Sequence, residues 1–567
     1  GYQASGGTLI IENCYSTGVI SGSQSGGICG RYYGFNTSGG TMTIQNCYST
    51  GIISGSQSGG ICGNRYGALA SRGTMTIQDC YSTGIMLQST GGICASFFGY
   101  QASGGTLIIQ NCYSTGIMQK STGGICASRF GYQASGGTLI IQNCYSTGAI
   151  SGGVGGGICG NQYGALASGG IFTVNNCYST GIISGNDSGG IFRGRYGREA
   201  SGGTFEINNC YSTGTISGAN SGGICGSYYG ELLPSNSTTI FKITNCYSTG
   251  EISGIYSGGI CGLYYGYQAS GGTLTIGNCY STGEISGTFS GGICGGYYGY
   301  QVEGGTFEIN NCYSNGVISG SQSGGICGGY YGYRSSVGTM TIQNCYSLGV
   351  IDDSSGGIIG PNSGLYASTI TINVKNCYTI GTFTSSIDNG IFGPDKVIGT
   401  QTNCISSNNS TWSDSQATST IFVNQVNTWL SFNNNTPWLL LSFDAQIYNP
   451  NEKRIYTLPY TSKEGLFQTS SILTPNPIYT YSILSVNNES TIPTNIISIE
   501  ASNGKITFST NTVLEKPYIV KVLVGDNTTN DSIYQHYQIN TYTLTYVYLE
   551  IISNPLSQIV AVGTQAI

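Results

Sequence analysis

Charge is what this chain lacks most. Charged residues are 7% of its 567 residues, against about 25% in ordinary soluble domains. The 18 Lys+Arg and 24 Asp+Glu leave a net charge of −6, and so few basic residues cannot build the face that a nucleic-acid binder needs. The single histidine, His536, stands apart from any catalytic partner, so no Ser-His-Asp triad is available. No apolar run reaches the roughly 18 residues of a membrane-spanning helix. Proline is scarce before residue 404, where only Pro234, Pro361 and Pro394 occur, and helix-length apolar periodicity is missing there too. The 93 glycines lack the strict every-third-residue period of collagen. A mean hydropathy of +0.00 and 44 tyrosines argue against a disordered acidic tail.

What is present is a repeat. Asn-Cys-Tyr-Ser-Thr-Gly recurs around Cys14, Cys47, Cys80, Cys112, Cys144, Cys177, Cys210, Cys246 and Cys279, with weaker copies at Cys312, Cys345, Cys377 and Cys404. A second string, Gly-Gly-Ile-Cys, carries Cys29, Cys62, Cys94, Cys126, Cys159, Cys225, Cys261, Cys294 and Cys327. Together they hold all 22 cysteines, and the commonest spacing within each is 33 residues. Gly1 falls in the middle of a repeat without a Met or leader, so the chain reads as a piece of a longer protein.

Within a repeat the pattern is strand-like. In Thr41-Met42-Thr43-Ile44-Gln45 the apolar residues alternate with polar ones. In Gly51-Ile52-Ile53-Ser54 the Ile53 position stays apolar while its neighbour varies through Val19, Thr215, Glu251 and Glu284, which points Ile53 inward. Gly59-Gly60-Ile61-Cys62 makes a third segment. A short strand cannot bury its apolar face alone, and stacking equivalent strands solves this. The expected fold is therefore all-β: a parallel β-solenoid over 1–404 of about 12 coils, roughly 60 Å long at 4.8 Å per coil. One 33-residue coil of three strands is preferred over two smaller coils of 15 and 18 residues. Stacking predicts ladders: Asn13, Asn46 and Asn111 at a corner, Tyr15, Tyr48 and Tyr81 in one aromatic column, and Tyr33, Tyr66 and Phe98 in another.

Gly26-Gly27-Ile28-Cys29-Gly30 and Asn46-Cys47-Tyr48-Ser49-Thr50-Gly51, repeated along 1–404, resemble the GLUG-motif repeats of bacterial surface proteins and of some large DNA viruses. The resemblance implies a β-solenoid with an adhesin-like or surface-structural role and no catalytic residues. Residues 405–443, with Trp412, Trp429 and Trp438, look like a Trp-rich cap closing the last coil. Residues 444–567 read as a β-sandwich. Asn503-Gly504 signals a hairpin, and the stretch to Asn527 resembles an immunoglobulin- or cadherin-like domain whose calcium-ligand motifs are mostly missing.

Several residues are candidate sites. The cysteines fit either disulfides within each coil, such as Cys14–Cys29 and Cys47–Cys62, or ladders of free buried thiols. No histidine or carboxylate cluster accompanies them, so no metal and no cofactor is expected. Glu251 and Glu284 stack in adjacent coils at an outward position, as solvated side chains or as a carboxylate pair. The other acids of 1–404 read as scattered over different repeat positions, apart from Glu206 and Glu308, which share one position three coils apart. The column of Thr17, Thr50 and Thr83 fits corner hydroxyls or an ice-binding array. The preferred function is a non-enzymatic structural or adhesive rod of an extracellular, cell-surface or virion-surface fibre. Its partners would be other copies, neighbouring fibre proteins or host glycans, without nucleic acid. The alternatives are a carbohydrate-binding or carbohydrate-cleaving β-helix and the ice-binding array.

Overall fold

The computed structural model describes residues 3–406, apart from 4, 88–90, 118–122, 150–154, 183, 348–353, 380–389, 396–397 and 403, and six short strands beyond them. The chain separates into two compact units, Gly1–Ser410 and Thr411–Ile567.

The first unit is a parallel β-solenoid, with no helix among its described residues. Each turn opens with a five-residue strand such as Thr41–Gln45. Its Met42 and Ile44 are buried while Thr41 is exposed. Asn46, at φ 52°, then breaks the strand, and the chain resumes as the two-residue strand Tyr48–Ser49. Each kind stacks into its own 13-stranded sheet. The register joins equivalent residues: Thr8 pairs with Thr41, and Met42 with Met75. Partners a full repeat apart mean that one repeat is one turn, which excludes the two-coil alternative. Five-residue strands from Thr8–Glu12 to Thr371–Lys375 bound 11 turns, and a shorter turn ends on Thr400–Thr402.

The other two expected strands are not strands but single-residue bridges, such as Ile53 with Met86, Gly59 with Gly91 and Cys62 with Cys94. The backbone there folds into an arch. The N–H groups of Ile93 and Cys94 both donate to the carbonyl of Ile125, at 3.0 and 2.9 Å. The arch depends on glycine, since a Cβ on Gly92 would collide with the Gly124 carbonyl and the Ser114 side chain.

The core is a set of columns. Ile61, Ile93 and Ile125 are fully buried in one, with Ile28 of the first turn partly covered. Ile53, Met86, Ile252 and Ile285 form a second, smaller cluster, and their neighbours Val19 and Ile52 face solvent, as the pattern requires. Each fully buried aliphatic side chain contributes roughly 1.5–3 kcal/mol, and the repeat supplies several per turn.

In the second unit a four-stranded sheet runs in the order Ile455–Tyr456, Gln538–Leu544, Tyr518–Asp526, Tyr479–Val486. Ile497–Ile499 pairs antiparallel with Ile506–Phe508. Asn503-Gly504 and the cap tryptophans Trp412, Trp429 and Trp438 lie outside the described residues.

Candidate functional site

Three kinds of ladder line the solenoid. All 22 cysteines are free thiols, so pairs such as Cys14–Cys29 and Cys47–Cys62 are unbonded; Cys14 is exposed, Cys404 half-buried and the rest buried. They form two columns. In the first, each thiol donates to a carbonyl two residues earlier, as Cys112 Sγ does to Gln110 at 3.1 Å. In the second, Cys62, Cys94, Cys126 and Cys159 stack through bridge-paired backbones, with neighbouring thiols in hydrogen-bonding reach. Phe192, Ile359 and Phe392 take the cysteine's place in that column and are also buried. Burial pushes the thiols of Cys94, Cys144, Cys246 and Cys345 well above the ordinary thiol range, and neighbouring thiols add to the rise. Those four, held protonated, are weak nucleophiles and weak metal ligands. Among the described residues no group of three or more His, Cys, Asp or Glu gathers as a metal site.

The tyrosine column from Tyr15 to Tyr346 stacks with ring centroids 4.9–5.4 Å apart and interplanar angles of 3–11°. The column from Tyr33 to Tyr331 stacks at 4.7–5.3 Å inside the core. Its hydroxyls, those of Tyr66, Tyr163 and Tyr298 among them, are buried without a hydrogen-bond partner. Each leaves about 1–3 kcal/mol of desolvation uncompensated, which ring burial and stacking must outweigh.

The asparagine corner is a side-chain ladder: Asn143 Nδ2 donates to Asn111 Oδ1 at 3.1 Å, and Asn111 Nδ2 to Asp79 Oδ1 at 3.0 Å. Every member has φ of 50–56°, a left-handed backbone that Asn and Asp tolerate best among residues with a side chain.

A further left-handed column carries aromatic and basic residues. Its residues, at φ of 58–66°, are Tyr32, Arg65, Phe97, Arg129, Gln162, Arg195, Tyr228, Tyr264, Tyr297, Tyr330, Asn362 and Asp395. Three residues on runs a companion row that includes Phe35, Tyr100, Tyr132, Arg198, Tyr267, Tyr300 and Tyr333. Here the rings are half-exposed. Along the later turns they interlock, with Tyr297 stacked on Tyr330 at 4.7 Å and edge-on to Tyr300 at 5.3 Å. Along the earlier turns arginines lie over them. Arg65 sits 5.7 Å from the Tyr32 and Phe97 rings, and Arg129 4.9 Å from Phe97. The cation–π contacts of Arg31, Arg65, Arg129 and Arg195 all fall on rings of these two rows, and Arg334, one residue beyond the companion row, lies over Tyr333 and Tyr366. The available signal was the doublets Tyr228-Tyr229, Tyr264-Tyr265, Tyr297-Tyr298 and Tyr330-Tyr331, whose second ring enters the core and whose first is left outside.

Charge gathers midway along the same corner. Glu231 is 3% exposed and pairs with Arg198 Nε at 3.0 Å and Arg195 Nε at 3.5 Å. Arg198 also reaches Glu199 at 2.8 Å. Burial pushes the Glu231 carboxyl up to about 7, against the pull of Arg195 and Arg198 and with a further push from Glu199. Glu199 and Glu231 stand at different repeat positions, as the sequence pattern has them, and the stacking of adjacent turns brings both to Arg198. The signal was Arg193, Arg195 and Arg198 within six residues, the densest basic run of the solenoid.

The remaining candidates stay apart from this cluster. Glu251 and Glu284 are exposed and stacked in adjacent turns beside the Ile252–Ile285 bridge. Thr17, Thr50 and Thr83 form an exposed single file. No family model, curated protein or solved structure matches the chain. The likeness to GLUG-motif repeats and to an immunoglobulin- or cadherin-like domain therefore rests on the quoted residues alone.

Proposed function

We propose that residues 1–404 serve as a non-enzymatic structural or adhesive rod in an extracellular, cell-surface or virion-surface fibre, presenting or anchoring what flanks them. The observation that supports this reading is the unbroken register: 13 strands per sheet stacked on their equivalents, stiffened by asparagine, tyrosine and thiol ladders. Such regularity favours length and rigidity over a shaped pocket. Immunogold microscopy of native material with an antibody to the solenoid should label projecting surface structures. Label confined to the interior would overturn the reading.

A second reading, a carbohydrate-binding or carbohydrate-cleaving β-helix, is favoured by one observation: the buried Glu231 beside Glu199, Arg195 and Arg198. A carboxyl poised near neutrality is what general acid catalysis uses. The rod reading expects no cleavage across a polysaccharide panel. Turnover abolished by Glu231→Gln would establish the second reading, and turnover abolished by Glu251→Gln or Glu284→Gln would place it at the exposed pair.

A further inference from the structure

The Tyr/Arg corner is built against backbone preference. Left-handed φ disfavours bulky side chains; the asparagine corner avoids them, a neighbouring column takes Leu69, Leu166 and Leu232, and this one takes rings and guanidiniums that stay half-exposed. Tyrosine and arginine on a shared surface are the residues enriched at the centres of protein interfaces, where lysine and glutamate are depleted.

The composition of the corner also changes along the rod. Arg65, Arg129, Arg195 and Arg198 fall in the first six turns, whereas Tyr264, Tyr297 and Tyr330 with their companions fall in the last. Two copies side by side in parallel would set arginine against arginine. Antiparallel copies, related by a two-fold axis across the rod between the Arg195 and Tyr228 turns, set unlike groups together. Turn by turn, that register brings Arg195 opposite Tyr228, Gln162 opposite Tyr264, Arg129 opposite Tyr297, Phe97 opposite Tyr330 and Arg65 opposite Asn362, so that no arginine of the column meets another. Arg334 falls opposite Tyr100 by the same count. From these positions we infer that the solenoid pairs with a second copy of itself, antiparallel, through this corner.

Isologous pairing about a two-fold axis is the commonest form of self-association. From Tyr32 to Asn362, ten turn-to-turn steps at about 4.8 Å make the two rows a continuous strip about 48 Å long. A polyanion fits less well. The arginines are spaced one or more turns apart and share the corner with Glu199 and Glu231. The stacked rings, moreover, turn edges rather than faces outward.

The pairing deepens the rod reading and rests on it only for its purpose, so a monomer would leave the immunogold outcome standing. The test is sedimentation equilibrium of the full chain, with Tyr297→Asn/Tyr330→Asn as the variant, because Asn suits the left-handed backbone and keeps the turn. Dimer is expected for the parent, with at least a ten-fold weaker dissociation constant for the variant. Benzoylphenylalanine at Tyr132 should cross-link to the partner's 291–305 segment. A monomeric parent, a dimer indifferent to the variant, or cross-links to the partner's own 132 region would each overturn the inference. Binding of an acidic polysaccharide to a monomeric parent would replace it.

Discussion

Among the corners that hold the backbone in the left-handed region, two are filled in opposite ways. The first carries Asn in all turns but one, where Asp79 stands, and its amides bond from turn to turn. The second carries Tyr, Arg, Phe, Gln, Asn and Asp in changing order. A left-handed backbone costs a bulky L-residue roughly 1–2 kcal/mol. The first corner lowers that cost with residues that tolerate the conformation and gains a hydrogen-bond ladder. The second bears the cost at turn after turn and gains exposed rings and cations. The same backbone conformation is thus met in two ways, one that builds a ladder and one that presents rings and cations.

The largest expected effect breaks the first corner. Asn278→Val puts a β-branched residue at φ 54° and removes the bonds to Asn245 and from Asn311, at 3.3 and 3.1 Å. The expected loss is about 4 kcal/mol in urea unfolding. Asn278→Gly, which removes only the ladder bonds, should cost about 1 kcal/mol. Equal losses for the two would mean that the backbone conformation contributes nothing.

The second corner differs from the first in carrying a buried titrating group. The carboxyl of Glu231 is raised in the folded state from 4.5 to about 7, so the folded state binds the proton more tightly than the unfolded one. The resulting stability is fully present below pH 4.5 and is lost as pH rises through about 7. The change amounts to roughly 3 kcal/mol. Melting temperatures between pH 4.5 and 8.5 should fall more steeply for the parent than for Glu231→Gln. Parallel profiles would show that Glu231 is not the group responsible.

A smaller effect sharpens the contrast between the two rings of each tyrosine doublet. Tyr298 buries an unpartnered hydroxyl, and Phe98 and Phe130 already occupy the same column. Tyr298→Phe should stabilise by about 1 kcal/mol, a gain visible as a higher urea midpoint. A loss would point to a partner for that hydroxyl.

The smallest effect belongs to the outer ring. Tyr297→Asn gives up ring contacts but relieves the backbone at φ 58°, so unfolding free energy should move by less than about 1 kcal/mol. A large loss would make the second corner as structural as the first.

Much of this was legible in the sequence because a repeat performs the comparison internally. The Ile44 and Ile53 positions stay apolar while Thr43 and Ile52 drift, and burial follows that division. The asparagine and tyrosine ladders were legible for the same reason, since equivalent side chains must stack once the strands do. The third strand was misread because Gly-Gly-Ile-Cys has an apolar residue between small ones, yet its glycines close an arch. The charged corner was missed because Glu199 and Glu231 occupy different repeat positions and meet only across adjacent turns.

By itself, then, the sequence determined the period, the inward columns, the ladders and the all-β class. Each follows from which residues recur and from the need of a short strand to bury one face. Tertiary structure alone decided that a repeat makes one turn, that the thiols lie along two separate columns, and which ring of each tyrosine doublet stays outside. It also decided that Glu231 meets Arg195 and Arg198. These outcomes depend on how far the chain turns before it meets itself, and that is set by backbone angles at glycine and left-handed corners rather than by any local pattern of apolar and polar residues.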